Sequence, residues 1–113
     1  MLGELAGKRI LDVGCGGGRY SVVAAQLVAE HVMGVDFAPN MIELAKGLAE
    51  KQGLQESQID FVCGDATEVA LEKPANAAIV MGVFDYVEDP AAFLTRILDK
   101  VTDRVVASFP VKS

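Results

Sequence analysis

Four of the chain's eleven glycines, Gly14, Gly16, Gly17 and Gly18, fall within five consecutive positions directly after an apolar run. A segment with that pattern reads as a short strand that turns sharply into the next element. Glycine suits such a turn because, lacking Cβ, it tolerates φ > 0 and lets a ligand approach bare backbone. A helix that follows presents unpaired N–H groups and the positive end of its dipole, which suits an anionic or carboxylate-bearing ligand. The stretch ILDVGCGGGRY, Ile10 to Tyr20, therefore predicts a cofactor-binding loop.

The chain around this loop alternates between strand-like and helix-like segments. Lys8 to Gly14 reads as a first strand. Arg19 to Glu30 reads as a helix whose apolar face is Tyr20, Val23, Ala24, Leu27 and Val28, at three- and four-residue spacing. His31 to Asp36 is a second strand. Pro39, suited to a first helical turn, opens a helix to about Gln52, with Met41, Ile42, Leu44, Ala45, Leu48 and Ala49 as its apolar face. Gly53 is its stop signal. Ile59 to Cys63 predicts a third strand, and Thr67 to Pro74 fits either a short helix or an irregular connection. The wholly apolar run Ala77 to Val83 predicts a fourth strand, central and buried on both faces. Asp89-Pro90 caps a third helix with Phe93, Leu94, Ile97, Leu98 and Val101 buried and Arg96 and Lys100 outward, and Arg104 to Phe109 predicts a fifth strand. This order implies an α/β doubly wound three-layer sandwich with a mainly parallel sheet of about five strands, all 113 residues forming one domain.

Composition narrows the function. Half of the residues are apolar, mostly Val, Leu, Ile and Ala. The longest apolar run, Ala77 to Phe84, is strand-sized, and MLGELAGKR lacks the pattern of a secretory signal, so a soluble cytoplasmic protein is expected. The net charge is −6 and the basic residues form no stripe, which argues against nucleic acid as a partner. Two cysteines without CxxC spacing and a single histidine leave little for a metal site. His31 reads as a partly exposed structural residue at the start of its strand.

In a doubly wound sheet, ligands bind beyond the carboxyl ends of the strands, where the strand order reverses. Gly14 to Gly18, Asp36, Asp65 and Met81 to Val83 all follow strands and so converge there. Asp36 lies 22 residues after Gly14, where a carboxylate accepts hydrogen bonds from ribose hydroxyls. Taken alone it reads equally as a solvated strand end; joined to the glycine turn at this spacing, the functional reading leads. A dinucleotide fingerprint, G-x-G-x-x-G, would need glycine where Arg19 stands, and the GK[ST] ending of a phosphate-binding P-loop is absent. Arg19 itself reads as solvated, with contact to a cofactor carboxylate as the alternative.

These motifs resemble the class I (Rossmann-like) S-adenosylmethionine-dependent methyltransferases. LDVGCGGG is similar to their first motif, VMGVDFAPNMIELAK to the segment after it, and IDFVCGDAT and AAIVMGVFDYVEDP to the next two. The resemblance implies S-adenosylmethionine as cofactor and a set of residues around it. Gly14 and Gly16 would contact the methionine part, Cys15 and Gly18 would be cofactor-binding residues of the same loop, and Asp12 would reach the amino group. Asp36 would hold the ribose hydroxyls, Phe37 and Met41 would flank the adenine, and Asp65 and Ala66 would read its edge. Met81 and Gly82 would close the methionine end. It further implies methyl transfer to a small-molecule acceptor.

The departures from the family pattern are specific. Ala38 stands where serine often caps the second helix, Asn76 where many relatives carry aspartate, and Tyr86 where many small-molecule enzymes have histidine, so no acid or base role carries over. Five strands instead of seven, without the family's last two strands or its N-terminal extension, predict the cofactor-binding part of a longer enzyme. An unpaired edge on the fifth strand then predicts self-association or marginal stability. Cys15 and Cys63, two strand spacings (about 9.5 Å) apart, are expected to be free thiols. Two rival readings are a binding or scaffold module without activity and a nicotinamide-binding oxidoreductase domain.

Overall fold

The computed structural model describes residues 7–27, 30–71, 73–81 and 88–108, with Met81 and residues 103–108 described by their backbone only. In chain order the elements are β1 (Arg9–Val13), α1 (Arg19–Leu27), β2 (His31–Asp36), α2 (Pro39–Lys51), β3 (Ile59–Cys63), β4 (Ala75–Met81), α3 (Pro90–Leu98) and β5 (Val101–Ser108). The five strands form one sheet in the order β3-β2-β1-β4-β5, and every neighbouring pair is parallel. The chain starts in the middle, steps outward to β3 and returns to the other side of β1. The strand order therefore reverses between β1 and β4.

Period-two alternation along the strands divides the core in two. Ile10, Val32, Ile59, Phe61, Ala77 and Ile79 pack with α1 and α2, whereas Leu11, Val13, Val35, Ala78 and Val80 pack with Ile97 of α3. Parallel strands covered on both faces need apolar side chains on both, and Ala77 to Val80 are all buried. Among the described residues, β5 and β3 are the outer strands. Asn76 ties the amino end of the sheet, since its Oδ1 accepts from the Arg9 N–H at 2.8 Å and its Nδ2 donates to Thr102 Oγ1 at 3.4 Å.

All three helices differ in part from their expected faces. In α1 the buried residues are Ser21, Val22, Ala24 and Ala25, while Tyr20, Val23 and Leu27 are exposed at 56%, 41% and 44%. The helix turns its small side chains inward because it lies close to the sheet, with Ser21 drawn under by a hydrogen bond to Asp12. Leu44 of α2 and Leu98 of α3 are likewise exposed, and Val101 belongs to β5. Lys100 is not outward: it is half-buried and its Nζ donates to the Val69 carbonyl at 2.8 Å, tethering the irregular connection after β3. The segments expected at Val28, at Gly82 and Val83, and at Phe109 lie outside the described residues.

The helix ends follow local chemistry. Gly53, at φ +75°, closes α2 with bonds from its own N–H to Glu50 and from Leu54 N–H to Ala49, both 3.0 Å, which satisfy carbonyls that the helix leaves open. Asp89 caps α3 by accepting from the Ala92 N–H at 3.1 Å. Ala38, at the corresponding position of α2, makes no side-chain cap although its backbone is extended (φ −88°, ψ 113°), the conformation that a capping serine adopts. Ala38→Ser should therefore stabilise the protein by about 1 kcal/mol, read as a rise of about 4 °C in Tm; an unchanged Tm would mean that the hydroxyl does not reach the first-turn N–H groups.

Candidate functional site

Where the strand order reverses, β1 ends in the glycine turn. Gly14, Gly16 and Gly18 have φ of +71°, +54° and +84°, a region that residues with a Cβ rarely enter. The N–H groups of Gly14 and Cys15 both donate to the Val35 carbonyl, at 2.8 and 3.0 Å, and Gly18 N–H to Cys15 carbonyl closes the turn at 3.0 Å. Gly18 is a packing position as well: a Cβ there would lie 2.9 Å from Ala45 Cβ and 3.3 Å from the Phe61 ring. At Gly16 a Cβ would meet nothing within 4 Å, so its bare face opens outward. Gly17 has neither a positive φ nor a close neighbour, and nothing in the structure explains it.

Asp36, at the end of β2, organises the loop from the side. Its Oδ2 accepts from the Gly16 N–H and its Oδ1 from the Ala38 N–H, each at 2.9 Å. Charge-assisted bonds of this kind are about twice as strong as neutral ones, so one carboxylate sets both the glycine turn and the entry to α2. After β3, Asp65 Oδ1 accepts from Thr67 N–H at 2.8 Å and from Thr67 Oγ1 at 2.7 Å, and its carbonyl accepts from the Glu68 and Val69 N–H groups at 3.0 and 3.1 Å, a single turn that does not continue as a helix.

These elements enclose a cavity of about 800 Å³, within the size range of small-molecule sites. Of the residues expected from the sequence, Gly14, Gly16, Asp36, Phe37, Met41, Asp65 and Ala66 line it. Asp12, Cys15 and Gly18 lie behind the wall instead, for three different reasons. Asp12 is turned under the loop onto Ser21, the Cys15 side chain is in the core, and Gly18 faces Ala45. Met81 is described only by its backbone, and Gly82 and Tyr86 lie outside the described residues. The opposite wall is Asp89, Ala92, Phe93 and Arg96 of the α3 region, which the sequence reading missed. Its signal is the Asp89-Pro90 cap: that pair places the start of α3 at the carboxyl edge of the sheet.

Three carboxylates (Asp36, Asp65, Asp89) and one guanidinium (Arg96) line the described part of the cavity. An excess of negative charge favours ligands that bring hydroxyl or amine donors and disfavours a pyrophosphate. Beneath the wall, burial pushes the Asp12 carboxyl up to about 6; the Ser21 hydrogen bond opposes this and the Asp36 charge adds to it. Burial, with Asp12 and Asp36 adding, pushes the Cys15 thiol up to about 12, so it is no nucleophile at neutral pH. Both cysteines are free thiols, Cys15 buried and Cys63 exposed. At the far end of the sheet, His31 Nε2 lies 3.9 Å from Asp60 Oδ2, and burial raises the Asp60 carboxyl. No described helix is long and apolar enough to cross a membrane.

Comparison with known proteins accounts for this architecture. A family profile described as "Methyltransferase domain" matches residues 10–103. The mitochondrial ubiquinone biosynthesis O-methyltransferase of Schizosaccharomyces pombe is 35% identical over 96 residues, 85% of this chain and 35% of that protein. Its counterpart from Xanthomonas euvesicatoria pv. vesicatoria is 37% identical over 93 residues, 80% of this chain and 37% of the relative. The chain thus spans about a third of the length of these curated relatives. Among solved structures, the magnesium protoporphyrin IX methyltransferase of Synechocystis PCC 6803 with bound SAM superposes with a TM-score of 0.85 at 26% identity, covering 97% of this chain and 52% of that one.

Proposed function

Because the chain belongs to the class I S-adenosylmethionine-dependent methyltransferases, we propose that its cavity binds S-adenosylmethionine and that the protein transfers the methyl group to a hydroxyl of a small molecule. The observation that carries this reading is the Asp36 carboxylate, fixed by two backbone N–H groups at the rim of a glycine turn in an acid-lined cavity. That chemistry suits a nucleoside with a free ribose and a cationic sulfur. The hydroxyl acceptor is inferred from the curated relatives, which are named as O-methyltransferases of ubiquinone biosynthesis.

In this reading the bound cofactor supplies a methyl group already activated by a sulfonium, so the chain's task is binding and alignment. Asp36 accepts from the ribose hydroxyls with the lone pairs that Gly16 and Ala38 leave open. Phe37, 67% exposed at the cavity rim, and the half-buried Met41 provide apolar surface for the adenine ring, and Asp65 with the Ala66 N–H addresses its edge. The backbone of Gly14 and Gly16 receives the methionine part, and the α3 wall of Phe93 and Arg96 bounds the space left for an acceptor.

Titration calorimetry with S-adenosylhomocysteine tests this directly. Saturable one-to-one binding is expected, with no heat from NADH. A folded protein that binds no S-adenosylhomocysteine would overturn the proposal, and binding of NADH instead would support an oxidoreductase.

A further inference from the structure

Beneath the glycine turn lies a buried pair that the contacts above do not use. Asp12 is 1% exposed and Ser21 0% exposed, and the Ser21 hydroxyl donates to Asp12 Oδ2 at 2.6 Å. A buried carboxylate whose hydrogen bonds come from the neutral hydroxyl and the backbone N–H of Ser21 is a costly arrangement. The groups facing Asp12 make it more so: Asp36 on β2 adds like charge and Cys15 on the loop stays a neutral thiol, while among the described residues no cation forms an ion pair with Asp12.

Its place in the chain explains what the pair achieves. Asp12 is the fourth residue of β1, two before Gly14, and Ser21 is the third residue of α1, three after Gly18. Their bond joins the strand that enters the turn to the helix that leaves it, from below, while Asp36 grips Gly16 from the side. Room for the hydroxyl comes from Gly34 on β2, where a Cβ would stand 3.0 Å from Ser21 Oγ.

We propose that Ser21 is a positioning residue: through its hydrogen bond to Asp12 it fixes the end of β1 against the start of α1 and so holds the Gly14–Gly18 backbone in the shape that receives the cofactor. Asp12 then acts on the loop through Ser21 instead of touching the ligand. An ionised acceptor makes the stronger bond, which is the reason for a buried charge at this point. The inference rests on the reading that the cavity binds S-adenosylmethionine.

The test uses the whole chain in four forms: wild type, Ser21→Ala, Asp12→Asn and the double variant. Each is titrated with S-adenosylhomocysteine and unfolded with urea. Ser21→Ala should bind about tenfold more weakly and also lose stability, because the buried carboxylate loses its hydroxyl donor and keeps only the backbone N–H at position 21. In the double variant no charge is buried, so part of the stability should return while affinity stays about tenfold down; this form also serves if Ser21→Ala does not fold. Wild-type affinity should fall between pH 7 and 5, as Asp12 takes up a proton and the Ser21 hydroxyl exchanges an ionised acceptor for a weaker neutral one, and Asp12→Asn should lack that fall. Wild-type affinity in Ser21→Ala or in the double variant, or an unchanged pH profile in Asp12→Asn, would overturn the positioning role. Failure of the folded wild type to bind at all would instead overturn the reading beneath it.

Discussion

Gly34→Ala should cost the protein about 2 kcal/mol, although it adds a single methyl group to a residue in the middle of a strand. On an ordinary strand the change would be favourable, since glycine there sacrifices about 0.5–1 kcal/mol of backbone entropy relative to alanine. Here the new Cβ would lie 2.6 Å from Phe61 Cδ1, 2.8 Å from Cε1 and 3.0 Å from Ser21 Oγ. Phe61 cannot swing aside, because it is 7% exposed and the far end of its ring is already near the bare face of Gly18. Ser21 cannot retreat without leaving Asp12. Overpacking at such a point costs about 1–3 kcal/mol, more than the entropy gained, and an ordinary domain has only about 5–15 in total. Urea unfolding should show a lower midpoint with an unchanged slope, and Phe61→Leu added to Gly34→Ala should restore part of the loss. A midpoint at or above the wild-type value would show that the ring yields and that Gly34 is not set by packing.

Gly34 also marks the limit of what the sequence discloses. The glycine turn, the order of elements and the position of Asp36 are legible because they rest on local chemistry: positive φ, apolar runs and a carboxylate at a strand end. His31–Asp36 and Ile59–Cys63 even have the expected bounds. The orientation of α1 is not legible, because periodicity finds the more apolar face and the sheet selects the smaller one. Tyr20 is too large to sit where Ser21 sits, against Asp12 and the bare face of Gly34. Lys100 misleads in the same way: charge predicts an outward side chain, yet the carbonyl of Val69, 31 residues away in sequence, needs a donor. The α3 wall of the cavity is invisible for a third reason, since Phe93 reads as core from spacing alone and only the tertiary arrangement turns it toward Asp65 and Ala66.

Asp36→Ala should weaken S-adenosylhomocysteine binding by about a hundredfold, the largest affinity loss expected from any single change in the cavity. Two effects combine in that figure. The carboxylate accepts from Gly16 and Ala38 at 2.9 Å, so its loss relaxes the turn, and the proposed bonds to the ribose hydroxyls go with it. A bond to a charged acceptor is worth about 1.5–3 kcal/mol, hence one such bond already accounts for a factor of ten or more. The two effects separate with a cofactor analogue that lacks the ribose 2′-hydroxyl. If Asp36 binds ribose, the analogue should bind wild type about tenfold more weakly than the natural compound, and Asp36→Ala should bind both alike. If Asp36 only shapes the loop, wild type and variant should discriminate between the two compounds equally. Asp36→Asn should fall between wild type and alanine, because an amide keeps one acceptor oxygen but turns an NH₂ toward either the Gly16 or the Ala38 N–H. Binding within threefold of wild type in Asp36→Ala would remove the carboxylate from the cofactor site and leave it as the clamp of the glycine turn.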